Sequence, residues 1–105
     1  MASQSITPFR RTKIVCTIGP ASRSEESLLA LVRGGMDVAR LNLSHGSRSE
    51  HTELFTRIRQ AAEREGRPVA ILFDTKGPAI RTGERKTPLI LRKGQEVLFV
   101  PEGER

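Results

Sequence analysis

The sequence predicts an α/β fold built on a parallel sheet, and three observations carry this prediction. Three short segments rich in β-branched and apolar residues alternate along the chain with two longer segments of helical periodicity. Each helical segment is long enough to return the chain to the start of the sheet, as a parallel neighbouring strand requires. The third strand segment, residues 69–73, is apolar at every position, which is typical of a strand covered on both faces.

The first strand is predicted at residues 12–19, which are rich in β-branched side chains and end at a Gly-Pro pair. Ser22 with Glu25 three residues later has the spacing of a capping box, so a helix is predicted to begin there. Two consecutive glycines at 34–35 are predicted to end it, because glycine adopts the left-handed cap conformation at little cost.

The second strand is predicted at residues 37–43. A second capping box, Ser47 with Glu50, begins a longer helix whose apolar residues recur with a period of 3.6. Gly66 is predicted to end this helix, and the third strand follows at residues 69–73.

The pattern changes after residue 83. Two short strand-like runs, residues 88–92 and 96–100, surround an Arg-Lys-Gly-Gln sequence and predict an antiparallel hairpin. The predicted organisation is therefore residues 1–83 as one α/β part and residues 84–105 as the incomplete start of a second, β domain.

Composition narrows the class of partner. The 105 residues carry 18 Lys and Arg against 12 Asp and Glu, a net charge of +6. This positive charge is compatible with nucleic-acid binding, but four phenylalanines without tyrosine or tryptophan offer few aromatic rings on which bases could stack. We therefore expect a small anionic ligand and no nucleic acid.

One cysteine excludes an internal disulfide. No apolar run approaches the ~20 residues that span a bilayer, and residues 1–7 show no secretory signal. We therefore expect a cytoplasmic protein with no membrane partner.

Polar segments follow all three predicted strands, at the end of a parallel sheet where α/β proteins place their sites. Alternation puts Arg40 and Asn42 on the face of the second strand opposite its apolar residues. An interior arginine needs a partner, since an unpaired buried charge costs several kcal/mol. Either a carboxylate such as Asp74 or a ligand anion could be that partner, and alternation does not decide between them.

A second group of oxygen-bearing residues, Asn42, Ser44, Asp74 and Thr75, suits a hard cation, and its single carboxylate favours a monovalent one. The alternative is that Asn42 and Ser44 only form turns. His45 starts a helix beside Arg40, and Arg81 flanks a Gly-Pro turn, where either could meet phosphate oxygens or simply be solvated.

Three segments, KIVCTIGPAS, GMDVARLNLSHG and ILFDTKGPAIRTG, in this order and spacing resemble the pyruvate kinase family. The resemblance covers residues 13–83. It implies a (β/α)8 TIM barrel with a small β domain inserted after the third strand. It also implies phosphoryl transfer from phosphoenolpyruvate to ADP, giving pyruvate and ATP in glycolysis, by a full-length protein that is expected to be a homotetramer.

Carried over by position, the resemblance implies that Arg40 binds the substrate phosphoryl group. The nucleotide-binding positions it implies are Pro20, Asn42, His45 and Arg81. The potassium ligands it implies are Asn42, Ser44, Asp74 and Thr75, the last through its backbone carbonyl.

Two departures qualify the resemblance. A full barrel needs about 250 residues, and this chain holds three strands of eight. The family's catalytic lysine and acidic magnesium ligands belong to later strands, so no catalytic residue is assigned here. We expect an N-terminal fragment that is inactive by itself. The alternatives are a stand-alone, non-catalytic remnant that binds anions or a protein partner, and a basic nucleic-acid-binding domain.

The second departure is at position 79. Ala79 stands where the family usually has glutamate, or lysine in potassium-independent members, which puts potassium dependence in question.

Overall fold

The computed structural model describes residues 10–103, so the prediction about a secretory signal at residues 1–7 lies outside the described residues. The elements in chain order are β1 (Val15–Thr17), α1 (Glu25–Gly34), β2 (Val38–Asn42), α2 (Arg48–Arg64) and β3 (Ala70–Asp74). The strands form one parallel sheet in the order β1-β2-β3. The predicted α/β fold, with three parallel strands and two helices, is confirmed. Within residues 10–103, no helix has both the length and the apolar character needed to cross a membrane.

The hydrophobic core lies between the two helices and one face of the sheet. Ala39 and Leu41 of β2, Leu28 and Val32 of α1, and Ile58 of α2 are all completely buried in it. Side chains alternate faces along a strand, so the intervening residues of β2 lie on the opposite face, where they are half-buried. The sheet thus has one face packed against helices and one that carries polar groups.

Helix α1 begins two residues later than the sequence predicts. Ser24 is the N-cap and its side chain accepts a hydrogen bond from the Ser27 backbone N–H at 3.2 Å. The predicted capping box of Ser22 and Glu25 is wrong, because the Ser22 hydroxyl instead accepts from the Gly19 N–H at 3.0 Å. That bond closes the turn after β1, and a serine engaged in a turn cannot cap the helix.

The remaining helix boundaries agree with the sequence. Ser47 caps α2 in a full capping box, with the Ser47 N–H donating to Glu50 Oε2 at 2.7 Å. This bond, reinforced by nearby Arg23, lowers the pKa of the Glu50 carboxyl. Gly35 ends α1 at φ +107° and Gly66 follows α2 at φ +60°, conformations that favour glycine.

Beyond β3, residues 75–103 form no helix or strand. The predicted turn is present, since the Gln95 N–H donates to the Arg92 carbonyl oxygen at 3.0 Å and Gly94 has φ +83°. The flanking runs do not pair as strands, and their apolar side chains are exposed. A two-stranded hairpin with no surface to pack against is marginal in water. The radius of gyration is 20.1 Å, whereas a compact chain of 100 residues has a value of about 13 Å. The larger value agrees with an extended segment after β3.

Asp37, just before β2, takes part in hydrogen bonds that connect the start of β1 with the end of α1. Its Oδ2 accepts from the Ile14 N–H at 2.8 Å and from Arg10 Nη2 at 3.2 Å, and the same guanidinium donates to the Gly35 carbonyl. The bond from Ile14, together with the charge of Arg10, lowers the pKa of the Asp37 carboxyl.

This lowered pKa predicts how stability changes in acid. The carboxyl contributes fully to stability above its unfolded pKa of about 4, and the contribution is lost as the pH falls through the lower, folded value. Asp37→Asn is therefore expected to lower the urea concentration at the midpoint of unfolding at pH 7. The substitution is also expected to reduce the fall of this midpoint between pH 5 and pH 2. The measurement is a urea titration at each pH. Glu63→Gln, at an exposed position late in α2, is the control, and an unchanged decline in Asp37→Asn would contradict the assignment.

Candidate functional site

Arg40 lies in the middle strand, on the sheet face away from the helices, as alternation predicts. Its neighbours in sequence, Ala39 and Leu41, are fully buried against the helices, whereas the Arg40 side chain is 31% exposed. The register places Arg40 beside Thr17 of β1 and beside Leu72 of β3. Residues from both neighbouring strands can therefore reach its guanidinium group.

The guanidinium is held by one carboxylate and one hydroxyl. Arg40 Nε donates to Asp74 Oδ2 at 3.0 Å, Nη2 donates to the same oxygen, and Nη1 donates to Thr17 Oγ1 at 3.1 Å. The question that alternation leaves open is thus answered for this structure: the partner of Arg40 is Asp74. The Asp74 side chain is 44% exposed, and a pair this open to water contributes at most about 1 kcal/mol. Asp74 therefore orients Arg40, and the guanidinium group stays accessible to an anion that arrives from solvent.

The four oxygen-bearing residues predicted to hold a cation lie at the ends of β2 and β3 or just after them. Asn42 is paired in register with Asp74, Ser44 lies two residues beyond Asn42, and Thr75 follows Asp74. The Asn42 amide oxygen accepts from the Ser44 N–H at 3.0 Å, so these two residues do form the turn that was the alternative interpretation.

This donor set fits a monovalent cation. Amide, hydroxyl and carbonyl oxygens are neutral, and the one carboxylate, Asp74, already neutralises Arg40. Both hydrogen bonds from Arg40 end on Oδ2 of Asp74, leaving Oδ1 outside that contact. In the described part of the chain, no three His, Cys, Asp or Glu side chains are grouped so that they could hold a metal ion, and a cation at this place would depend on the neutral oxygens.

A cleft of about 790 Å³ opens between the end of β1, the loop after β2 and the start of α2. Pro20, Asn42 and His45, three of the predicted nucleotide-binding residues, line it together with Thr17 and Arg23. The structure thus brings these three predicted residues to one concave surface of a size that suits a small-molecule ligand.

The fourth predicted nucleotide-binding residue, Arg81, is not in the cleft. It lies on the exposed segment after β3, which has no regular structure to fix its position. Its approach to a nucleotide stays a prediction.

His51 is a residue of the site that the sequence analysis does not identify. It lies one turn into α2, where its Nε2 contacts the His45 carbonyl oxygen at 2.7 Å. A carbonyl oxygen only accepts, so Nε2 carries the proton. A Cβ on Gly46, which has φ +81°, would lie 3.4 Å from Nε2. The loop after β2 is therefore closely folded onto α2. The signal in the sequence is the spacing of His51 four residues after Ser47, which directs the side chain back over the N-terminus.

A second, apolar cavity of about 590 Å³ lies on the helix side of the sheet. Phe55 of α2 and Phe73 of β3 stack there with ring centroids 6.2 Å apart. The Arg59 guanidinium lies 5.3 Å from the Phe55 centroid. None of the predicted site residues lines this cavity.

Comparison with known proteins identifies a family that matches most of the chain. The family described as "Pyruvate kinase, barrel domain" matches residues 9–104. The chain is 59% identical over 91 residues to the pyruvate kinase of Staphylococcus haemolyticus, which covers 86% of the chain and 16% of the relative. It is 54% identical over 101 residues to the pyruvate kinase of Geobacillus stearothermophilus, covering 89% of the chain and 17% of the relative. The chain thus spans about a sixth of the length of these relatives.

Proposed function

The chain belongs to the pyruvate kinase family, and from that membership we propose that it forms the first part of an enzyme that transfers the phosphoryl group of phosphoenolpyruvate to ADP. The products are pyruvate and ATP. Residues 1–83 would belong to the barrel and residues 84–105 to the inserted β domain. The observation that carries the proposal is Arg40, an accessible guanidinium oriented by Thr17 and Asp74 at the strand ends.

Arg40 would act on the phosphoryl group by charge. A phosphate oxygen about 4 Å from the guanidinium is attracted by roughly 4 kcal/mol at an effective dielectric constant of 20. In phosphoryl transfer, protein groups work mainly by positioning the reactants and neutralising charge on the transferred group. Because the guanidinium is already oriented, little reorganisation is needed when the substrate binds.

The cleft would receive the nucleotide. Pro20 supplies an apolar wall, and Asn42 and His45 line the same surface. Arg81 would approach the nucleotide phosphates once the β domain holds its segment in place.

Asn42, Ser44, Asp74 and the Thr75 carbonyl would hold potassium, and a bound monovalent cation supplies positive charge beside the reacting phosphate. Magnesium ligands and the groups that act on the enolate would come from later parts of the barrel. On the family resemblance, we also place the full enzyme in the cytoplasm as a homotetramer.

The proposal is tested with a hybrid enzyme in which the part of this chain that matches the Staphylococcus haemolyticus pyruvate kinase over 91 residues replaces the corresponding part of that enzyme. ATP formation from phosphoenolpyruvate and ADP is measured with magnesium and potassium present. We expect turnover within about tenfold of the staphylococcal parent. Circular dichroism and gel filtration establish that the hybrid folds as the parent does. A folded hybrid without turnover, or one that cannot fold, would contradict the proposal.

The residue at position 79 gives a prediction about the cation. Ala79 cannot supply the positive charge that a lysine would, so turnover by the hybrid enzyme is expected to require a monovalent cation. Ala79→Lys is expected to give turnover without potassium, while Ala79→Gln, of similar length but uncharged, is expected to keep the requirement. The measurement is a potassium titration in tetramethylammonium buffer at constant ionic strength. Full activity of the unsubstituted hybrid without potassium would remove the cation assignment of Asn42 and Ser44.

A further inference from the structure

Thr17 contacts Arg40, the residue that carries the proposed function. Thr17 is the last residue of β1 and is paired in register with Arg40 of β2. Because paired residues of neighbouring parallel strands face the same way, both side chains lie on the sheet face away from the helices. Thr17 Oγ1 accepts a hydrogen bond from Arg40 Nη1 at 3.1 Å.

The two partners of Arg40 hold different parts of its guanidinium. Asp74 accepts from Nε and Nη2, and Thr17 accepts from Nη1, so the planar group is held from both neighbouring strands. A guanidinium has five N–H groups, and these contacts use three of them. Within the described residues, one N–H on each of the two terminal nitrogens has no recorded partner. Two adjacent N–H groups of this kind match two oxygens of a phosphate.

The chemistry of threonine suits the task of orienting a cation. Its hydroxyl is uncharged, so it fixes Nη1 without neutralising the charge that attracts an anion. Its branched Cβ also restricts rotation of the side chain, which keeps Oγ1 in place. A second carboxylate at this position would hold the guanidinium as firmly but would compete with the substrate for its charge.

We propose that Thr17 is a positioning residue: it orients Arg40 so that the free edge of the guanidinium faces the phosphoryl group of the substrate. This inference rests on the proposed function, since it assigns Thr17 a role only through substrate binding by Arg40. Thr17 also lines the cleft with Pro20 and His45, and so it lies where the proposed substrate and nucleotide positions meet.

The test compares three substitutions in the hybrid enzyme. Thr17→Val keeps the shape and removes the hydroxyl, and it is expected to lower kcat/KM for phosphoenolpyruvate about tenfold, the effect of losing one hydrogen bond to a charged group. KM for ADP and the thermal midpoint are expected to be unchanged. Thr17→Ser restores the hydroxyl and is expected to stay within twofold of the unsubstituted hybrid. Thr12→Val, at an exposed threonine with no recorded side-chain hydrogen bond in the described chain, is the matched control.

A double-mutant cycle separates positioning from a merely structural role. In an Arg40→Lys background, Thr17→Val is expected to have less than a twofold further effect, because the guanidinium that Thr17 orients is gone. Tenfold losses in both backgrounds would show that Thr17 acts independently of Arg40 and would overturn the inference, as would normal kinetics of Thr17→Val.

The single variants Arg40→Ala and Thr17→Val separate a failure of the proposed function from a failure of the inference about Thr17. If Arg40→Ala leaves the hybrid fully active, the assignment of Arg40 is wrong and the role of Thr17 falls with it. If Arg40→Ala is impaired while Thr17→Val is not, only the inference about Thr17 fails.

Discussion

Arg40→Ala in the hybrid enzyme is expected to lower kcat by about 10²–10³-fold, the loss typical of removing one group that stabilises developing charge in a transition state. The effect is expected mainly in kcat, because charge on the transferred phosphoryl group changes most in the transition state. Steady-state kinetics with phosphoenolpyruvate as the varied substrate measure it. Asp74 would keep its place in the sheet through its backbone carbonyl, which accepts from the Leu43 N–H at 2.9 Å.

Arg48→Ala is the matched control. Arg48 is the first residue of α2, is exposed, and has no recorded ion pair in the described chain. Its substitution is expected to leave kcat within twofold. Equal activity of the Arg40 and Arg48 variants would remove Arg40 from the site.

Asp74→Asn is expected to have the second largest effect, a loss of about 10–100-fold in kcat together with a higher potassium requirement. The substitution removes the charged partner of Arg40 and the only carboxylate of the proposed cation site at once. A potassium titration of the variant separates these effects, because added potassium can compensate only for weaker cation binding.

Glu63→Gln, which removes an exposed carboxylate from the last turns of α2, is expected to change neither kcat nor the potassium requirement. If Asp74→Asn lost activity with an unchanged potassium requirement, Asp74 would serve Arg40 alone. Normal turnover and normal potassium dependence together would exclude it from both roles.

The sheet and the face of Arg40 could be predicted from the sequence because both depend on local periodicity. Alternation along β2 needs only the order of residues, and the burial of Ala39 and Leu41 is its direct consequence. The partner of Arg40 could not be predicted in this way. It depends on the register between strands, which brings Thr17 and Asp74 within reach and which no single strand encodes.

One local prediction failed because two neighbouring serines compete for the same role. Ser22 and Ser24 both precede α1, and the hydrogen bond of Ser22 to Gly19 leaves the cap to Ser24. The contact of His51 with His45 was not predicted, because it forms only when the loop after β2 folds back onto α2. For residues 88–100 the local signals predict the turn correctly, whereas strand pairing also needs a surface on which the hairpin can pack.

We expect the free edge of the Arg40 guanidinium, oriented from both neighbouring strands, to bind the phosphoryl group of the substrate. The most direct test is a crystal structure of the hybrid enzyme with bound phosphoenolpyruvate. We expect both terminal nitrogens of Arg40 to lie within about 3 Å of phosphate oxygens, with the contacts to Thr17 and Asp74 retained. A phosphate bound elsewhere, with Arg40 still turned only toward Asp74, would contradict it.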